Sequence, residues 1–235
     1  MKTTLQHILR LKRDYARLPF FEFLRDESRT PRERLAFFPC MASFILSFGD
    51  LNRHVLRMEP SSDPHQRMVN DHTYEDDHHW PWYLEDFVKL GHDSPRPPSE
   101  LMRALYSDAT TANRLLAMRL AHLIWGAEPL LRLAIIEAIE ETGNVLFALT
   151  TKIAIAYQRE TGTELRYCGE FHFQLESGHA MNNDHAELAG MTLDDTQRRR
   201  AIECADQVFA WFEDWTHELH RYTLAQLGYT VEAIA

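Results

Sequence analysis

Apolar residues recur along most of the chain at spacings of three and four, the period of an amphipathic α-helix. One such stripe begins soon after Thr30-Pro31-Arg32-Glu33. In that segment Thr30 and Glu33 match a capping box, and Pro31 suits the first helical position. The clearest stripe lies near the C-terminus and consists of Ala201, Cys204, Val208, Trp211, Phe212, Trp215, Leu219 and Tyr222. No alternation of strand and helix patterns is present, so the sequence predicts an all-α protein.

The same periodicity predicts about seven helices with short connections, the pattern of a compact helical bundle. Pro81 is expected to kink or split the third helix, and residues 107–111 to interrupt the fourth. The sixth carries His172. The 235 residues are expected to form one domain, 1–235, with a metal-site core at about 65–190. The other predicted helices cover residues 3–18, 30–56, 65–90, 100–124, 127–158 and 192–227.

Composition excludes several functional classes. A net charge of -10 leaves no basic footprint for nucleic acid. No run of about 18 consecutive apolar residues is present, so we expect no membrane span. The polar N-terminus lacks a signal-peptide core, and the three cysteines are dispersed, so we expect a reducing, cytoplasmic location. The sequence leaves the oligomeric state open, with a homodimer as one option.

The richest segment for chemistry is Phe171–His179, in which His172, Glu176 and His179 stand at positions i, i+4 and i+7. On a helix these three side chains project from one face. Two imidazoles and a carboxylate on one face are ligands that suit a first-row transition metal. They could hold one metal together or two metals bridged by Glu176.

A second cluster lies about a hundred residues upstream, at His72–His79. The apolar stripe that follows it places His72, Glu75 and His79 on the inward face of a continuous helix. Asp76 at the edge of that face is the fallback carboxylate. The alternative register, Glu75-x-x-His78, matches the Glu-x-x-His pattern of di-iron bundles, but His79 fits the stripe better.

A bridging carboxylate from a separate helix is expected from the segment 127–158. Glu140 has apolar neighbours at helical spacing, and a carboxylate in such surroundings is costly unless a metal or a charge compensates it. Glu137 is the fallback, and Glu137 and Glu141 are expected on the solvent side. Carboxylate and imidazole together favour two iron ions, with manganese as the alternative. Glu140 or Glu176 would bridge them and take part in catalysis.

These motifs resemble those of the haem-oxygenase-like di-iron oxidases and oxygenases. The segment His79–Gly91 is similar to that family's His-led helix ending in Leu-Gly, and His172-x-x-x-Glu176-x-x-His179 is similar to its last metal motif, with Glu where Asp is commoner. Family members often have Glu seven residues before the first His, where this chain has His72. The resemblance covers roughly residues 30–225. It implies a haem-oxygenase-like bundle in which a ferrous pair activates O2 on a small substrate, such as an amino acid, amine or fatty acid.

Two competing interpretations use no di-iron site. The same fold could bind haem through His7, or another small molecule with Cys168 as a reactive thiol. Alternatively, the carboxylate–histidine face could belong to a helical interaction protein whose histidines respond to pH.

Overall fold

The computed structural model describes residues 1–180 and 184–229, and for residues 176–180 and 184–186 it describes the backbone alone. Helices connected by turns and loops make up these ranges, with no strand among them, which confirms the all-α prediction. The helices are α1 Lys2–Tyr15, α2 Pro19–Arg25, α3 Pro31–Arg34, α4 Ala42–Leu51, α5 Pro64–Asp76, α6 Trp80–Lys89, α7 Pro98–Leu105, α8 Thr111–Ile124, α9 Pro129–Thr161, α10 Glu170–Ala180, α11 Asp184–Gly190 and α12 Asp195–Gln226.

Several predicted helices are divided into shorter ones. Thr30 and Glu33 form the predicted capping box, but α3 ends after one turn. Pro39 lies in a 3₁₀ turn at Phe38–Met41, and α4 begins only after it, because proline cannot donate the backbone hydrogen bond of a continuing helix. The prediction of one helix over 30–56 is therefore wrong. The predicted first helix, 3–18, is present and ends three residues earlier, at Tyr15, and α2 follows it from Pro19.

The predicted helix 65–90 also divides, but not at its proline. It ends at Asp76 and resumes at Trp80, and Pro81 lies in the first turn of α6, where its missing N–H costs nothing. His79 is the N-cap residue of α6. This break gives His72 and His79 separate orientations, which a continuous helix would not allow.

The long helix α9 is the centre of the fold. It packs against α1, α2, α3, α5, α10 and α12, and its first three turns are buried almost all round. Gly162 ends it in a left-handed conformation at φ 74°. Any polar side chain that α9 directs toward α5 or α10 is therefore inside the protein.

The segment Pro31–Leu56 has the length and apolar composition of a membrane-spanning helix. It is divided into α3, the 3₁₀ turn, α4 and a wide π-type turn at Asn52–Leu56, and 56% of its most apolar window is buried inside the protein. A buried helix of a globular core has the same composition, and here the segment supplies core aromatics.

Candidate metal centre

The α5 helix provides two adjacent ligands at its last turn. Asp63 caps the helix and accepts hydrogen bonds from the first-turn N–H groups of His65 and Gln66. At the other end His72 and Asp76 are one turn apart, and His72 Nε2 lies 3.0 Å from Asp76 Oδ2. Asp76 is 4% exposed, so its carboxylate is held inside the protein.

Glu140 of α9 completes a three-residue cluster. Its Oε1 atom lies 3.6 Å from His72 Nε2. One ligand atom from each of His72, Asp76 and Glu140 lies within 4.8 Å of the others. Two carboxylates and one imidazole from two helices are a suitable set for a divalent cation of the iron or manganese type.

The two carboxylates control the charge of His72. Burial alone lowers its pKa, but the negative charges and hydrogen bonds of Asp76 and Glu140 raise the pKa well above its ordinary value. In the metal-free protein the proton on His72 thus offsets part of the repulsion between two converging carboxylates. A metal ion would take the place of that proton.

A second pair of candidate ligands lies beside this cluster. His172 Nε2 on α10 is 3.1 Å from His79 Nδ1 at the start of α6, and both side chains are buried. His172 Nδ1 is 2.8 Å from the carbonyl oxygen of Tyr167, so it donates its proton there and leaves Nε2 as a lone-pair donor. Trp82 stacks on the His79 ring with centroids 4.5 Å apart.

The spacing of these nitrogens fits a shared metal ion. Two nitrogens each about 2.1 Å from one metal, at a right angle, are about 3.0 Å apart. The observed separation of 3.1 Å between His172 Nε2 and His79 Nδ1 matches that value. The same separation is that of an N–H···N hydrogen bond, which His79 Nδ1 donates to His172 Nε2 in the metal-free protein, so a shared metal ion would take the place of that proton.

Two cavities meet at the candidate ligands. The larger has a volume of about 370 Å³, and six carboxylate side chains line it together with apolar residues of α9. The smaller has a volume of about 70 Å³ and a mainly aromatic and aliphatic lining. Asp76, His79 and Glu140 line both cavities. These three side chains form the wall between a polar space and an apolar one.

The structure places the other predicted ligands as follows. Glu75 is half-buried and lines the larger cavity, next to the three-residue cluster rather than in it. Asp76, the fallback, takes the inward position because it continues the buried face of α5, one turn after His72. His78 is largely exposed, with 52% of its side chain accessible, whereas His79 is buried. The side chains of Glu176 and His179 lie outside the described part of the chain.

The expectation that Glu137 and Glu141 face solvent is wrong. Both are buried, because other helices cover α9 on this side as well. Glu141 forms an ion pair with Lys12 of α1. Glu137 lines the larger cavity beside Glu140, so the fallback carboxylate is within the same site.

Sequence reasoning missed the residues that enclose the site from distant helices. Phe44, Phe212 and Trp215 line the smaller cavity, although they belong to α4 and α12. Each lies on an apolar stripe, which predicts burial but not the neighbour. Asp86 was also missed, although a carboxylate within the Tyr83–Leu90 stripe of α6 was a visible signal of a buried polar role.

Cys168 and His7, the residues of the competing interpretations, lie in surroundings that do not favour the roles considered for them. Cys168 is buried, and burial raises the pKa of its thiol well above the ordinary value, which disfavours the nucleophilic thiolate. His7 Nε2 lies 2.6 Å from the Asp206 carboxylate and its Nδ1 lies 3.0 Å from Arg10 Nη2, so both ring nitrogens already have protein partners. Neither residue resembles a prepared reactive centre.

No protein-family model matches this chain, and no curated protein matches it either. The site geometry is therefore the principal basis for a functional assignment.

Proposed function

We propose that this protein is a non-haem di-iron oxidase or oxygenase that uses O2 to oxidise a small organic substrate. The observation that supports it most is the convergence of His72, Asp76 and Glu140 with the His79–His172 pair. These groups come from α5, α6, α9 and α10 and meet at the boundary of two cavities. Ionisable side chains gathered in this way, in a cleft, are typical of a functional site.

In this proposal the ligands divide into two sets. His72, Asp76 and Glu140 would hold one ion, and His79 with His172 would hold the second. Asp76 or Glu140, which line both cavities, would bridge the two ions. Glu75, Glu176 and His179 are the candidates for the remaining ligand positions. Together these residues would hold two Fe(II) or two manganese ions, which when bound would supply electrons for the reduction of O2.

The protein's own residues divide the surrounding space. The larger cavity, at about 370 Å³, is in the range of small-molecule sites, roughly 300–1,000 Å³, and would admit the substrate. The smaller cavity is too small for most organic molecules and would hold O2 or a short apolar group. Its aromatic walls exclude water, which protects reactive species from side reactions.

His72 and its partners provide a place for a proton. In the metal-free state the proton is held at His72 Nε2 between Asp76 and Glu140. When a metal takes His72 Nε2, that proton must leave. Asp76 and Glu140 would bind the metal as ionised carboxylates, so Glu137, on the same cavity wall, is the candidate acceptor.

Anaerobic loading with Fe(II) tests the proposal. We expect about two iron ions bound per chain after removal of free metal, and O2 consumption once air is admitted, as required by the paired ligand sets. Glu140→Gln and Asp76→Asn should each lose iron and O2 consumption. Glu85→Gln is the matched control, because Glu85 is an exposed α6 carboxylate that pairs with Lys89.

Iron content that is equal in all four proteins would refute the proposed site. Iron loss in the two site variants without O2 consumption by the wild type would keep the metal centre and remove the oxygen chemistry. A Soret absorption band formed on haem addition, with no bound Fe(II), would favour the haem interpretation instead.

A further inference from the structure

Asp86 is a fully buried carboxylate that holds the loop before α10. Its Oδ1 atom accepts a hydrogen bond from Arg166 N at 2.7 Å, and Oδ2 accepts one from Cys168 N at 2.9 Å. The Tyr167 N–H also favours its charged form. Three successive backbone N–H groups of the loop are thus directed at one side chain.

The backbone of this loop suits its hydrogen bonds to Asp86. Residues 165–169 have no regular secondary structure, and a Cβ at Gly169 would overlap the Leu165 carbonyl oxygen. Backbone N–H groups in such a segment have no helical partners, and the Asp86 carboxylate satisfies them. A buried carboxylate is costly, and burial raises the pKa of Asp86 although the N–H groups oppose it.

The held loop contains the acceptor that orients a candidate ligand. The Tyr167 carbonyl oxygen accepts from His172 Nδ1 at 2.8 Å. That hydrogen bond fixes the His172 tautomer and directs Nε2 toward His79 Nδ1. Asp86 lies on α6, the same helix that His79 caps. One rigid helix therefore supplies His79 directly and sets the orientation of His172 through the loop.

We propose that Asp86 is the positioning residue of this centre, which holds His172 in the tautomer and direction needed to share a metal with His79. Asp86 touches neither imidazole; it acts through the Tyr167 peptide. The metal-binding part of this inference rests on the proposed function, whereas the tautomer part concerns the metal-free protein alone.

The test compares Asp86→Asn with Glu218→Gln. Glu218 is also a buried carboxylate, and it accepts two backbone N–H groups, from Ala112 and Asn113, each at 2.8 Å. In each variant the new side-chain amide keeps one acceptor oxygen, but its NH2 group faces the second backbone N–H donor. Both variants therefore lose one acceptor oxygen for a backbone N–H group, although Asp86 has a third donor at Tyr167, and only Asp86 is connected to His172.

Two readouts separate positioning from stability. Nitrogen-15 NMR of the metal-free wild type should find His172 protonated at Nδ1 and not at Nε2. In Asp86→Asn we expect a mixture of tautomers, and Fe(II) affinity lowered by about 10–100-fold, as for other partners of metal-bound histidines. Glu218→Gln should keep the wild-type tautomer and Fe(II) affinity, even where its thermal stability falls as far.

A wild-type His172 protonated at Nε2 would overturn the inference, and this result does not depend on whether Asp86→Asn folds. Equal Fe(II) affinity in wild type and folded Asp86→Asn would also overturn it, while leaving the di-iron proposal intact. If the wild type binds no Fe(II), the di-iron proposal fails, and the tautomer measurement alone then decides the role of Asp86.

Discussion

Gly49 of α4 lies against the turn that carries His79. Gly49→Ala should therefore displace this turn, although Gly49 is not itself a candidate ligand. A Cβ at this position would be 2.9 Å from the Asp77 carbonyl oxygen and 3.5 Å from Trp80 Cδ1. The first contact is too short, and it involves backbone that cannot rotate away. Either α4 or the 77–79 turn must move.

The size of the effect follows from two opposing contributions. Replacing glycine by alanine in a helix interior is favourable by about 0.8–1 kcal/mol. Overpacking a tight contact costs about 1–3 kcal/mol. Gly49→Ala should thus have a net cost between roughly 0 and 2 kcal/mol. In Gly143→Ala, the matched control on α9, the Cβ would meet only the Phe147 ring at 3.7 Å, an ordinary contact.

Thermal unfolding and Fe(II) titration of both variants provide the assay. The two unfolding free energies should differ by about 1–3 kcal/mol, which is a Tm difference of about 2–12 °C for a chain of this size. Gly49→Ala should also bind Fe(II) more weakly, because the displaced turn carries His79. Equal Tm and equal Fe(II) affinity in the two variants would refute the close approach of α4 to this turn.

Three further predictions concern charge and burial. In the metal-free protein the raised pKa of His72 stabilises the fold fully below about pH 6.5, and this contribution is lost as the pH rises through the folded-state pKa. The difference in unfolding free energy between wild type and His72→Gln, measured in urea, should therefore shrink as the pH rises. A difference that grows with pH would contradict the ion pairs of His72 with Asp76 and Glu140. Cys204 should react with a thiol reagent well before Cys168, which is buried with a raised pKa, and the reverse order by mass spectrometry would count against this packing. Arg132→Ala should destabilise the fold by about 2–4 kcal/mol in chemical denaturation, because the buried guanidinium donates to three protein oxygens. Arg119→Ala, at a half-buried surface arginine that pairs with Asp214, should cost under about 0.5 kcal/mol, and equal losses would refute the burial of Arg132.

The elements that could be predicted from sequence are those with local causes. The capping box at Thr30 and Glu33 depends on residues three apart, and the end of α9 at Gly162 depends on one glycine. The long apolar periodicity of α9 and α12 likewise predicts helices wherever the neighbours lie. These features need no knowledge of the rest of the fold.

The break between α5 and α6 could not be predicted in the same way. The prediction assigned the break to Pro81, but proline is tolerated in a first helical turn, and the chain turns three residues earlier. Gly49 packs against that turn, and this contact is distant in sequence. The error had one consequence for the site: a stripe continued back from α6 favours Glu75, whereas the buried face of α5 itself places Asp76 inward.

The residue types of the candidate site could be anticipated, but their surroundings could not. Histidines and carboxylates at helical spacing indicate a metal site from sequence alone. The aromatic wall from Phe44 and Trp215 and the role of Asp86 depend on tertiary contacts between helices far apart in the chain. Periodicity identifies such residues as buried without identifying what they contact.

Anomalous diffraction at the iron edge, from crystals grown with Fe(II), tests the central claim most directly. We predict two anomalous peaks, one among His72, Asp76 and Glu140 and the other at the His79–His172 pair. Crystals grown with Fe(II) that have no anomalous peak at either position would contradict the proposed metal centre.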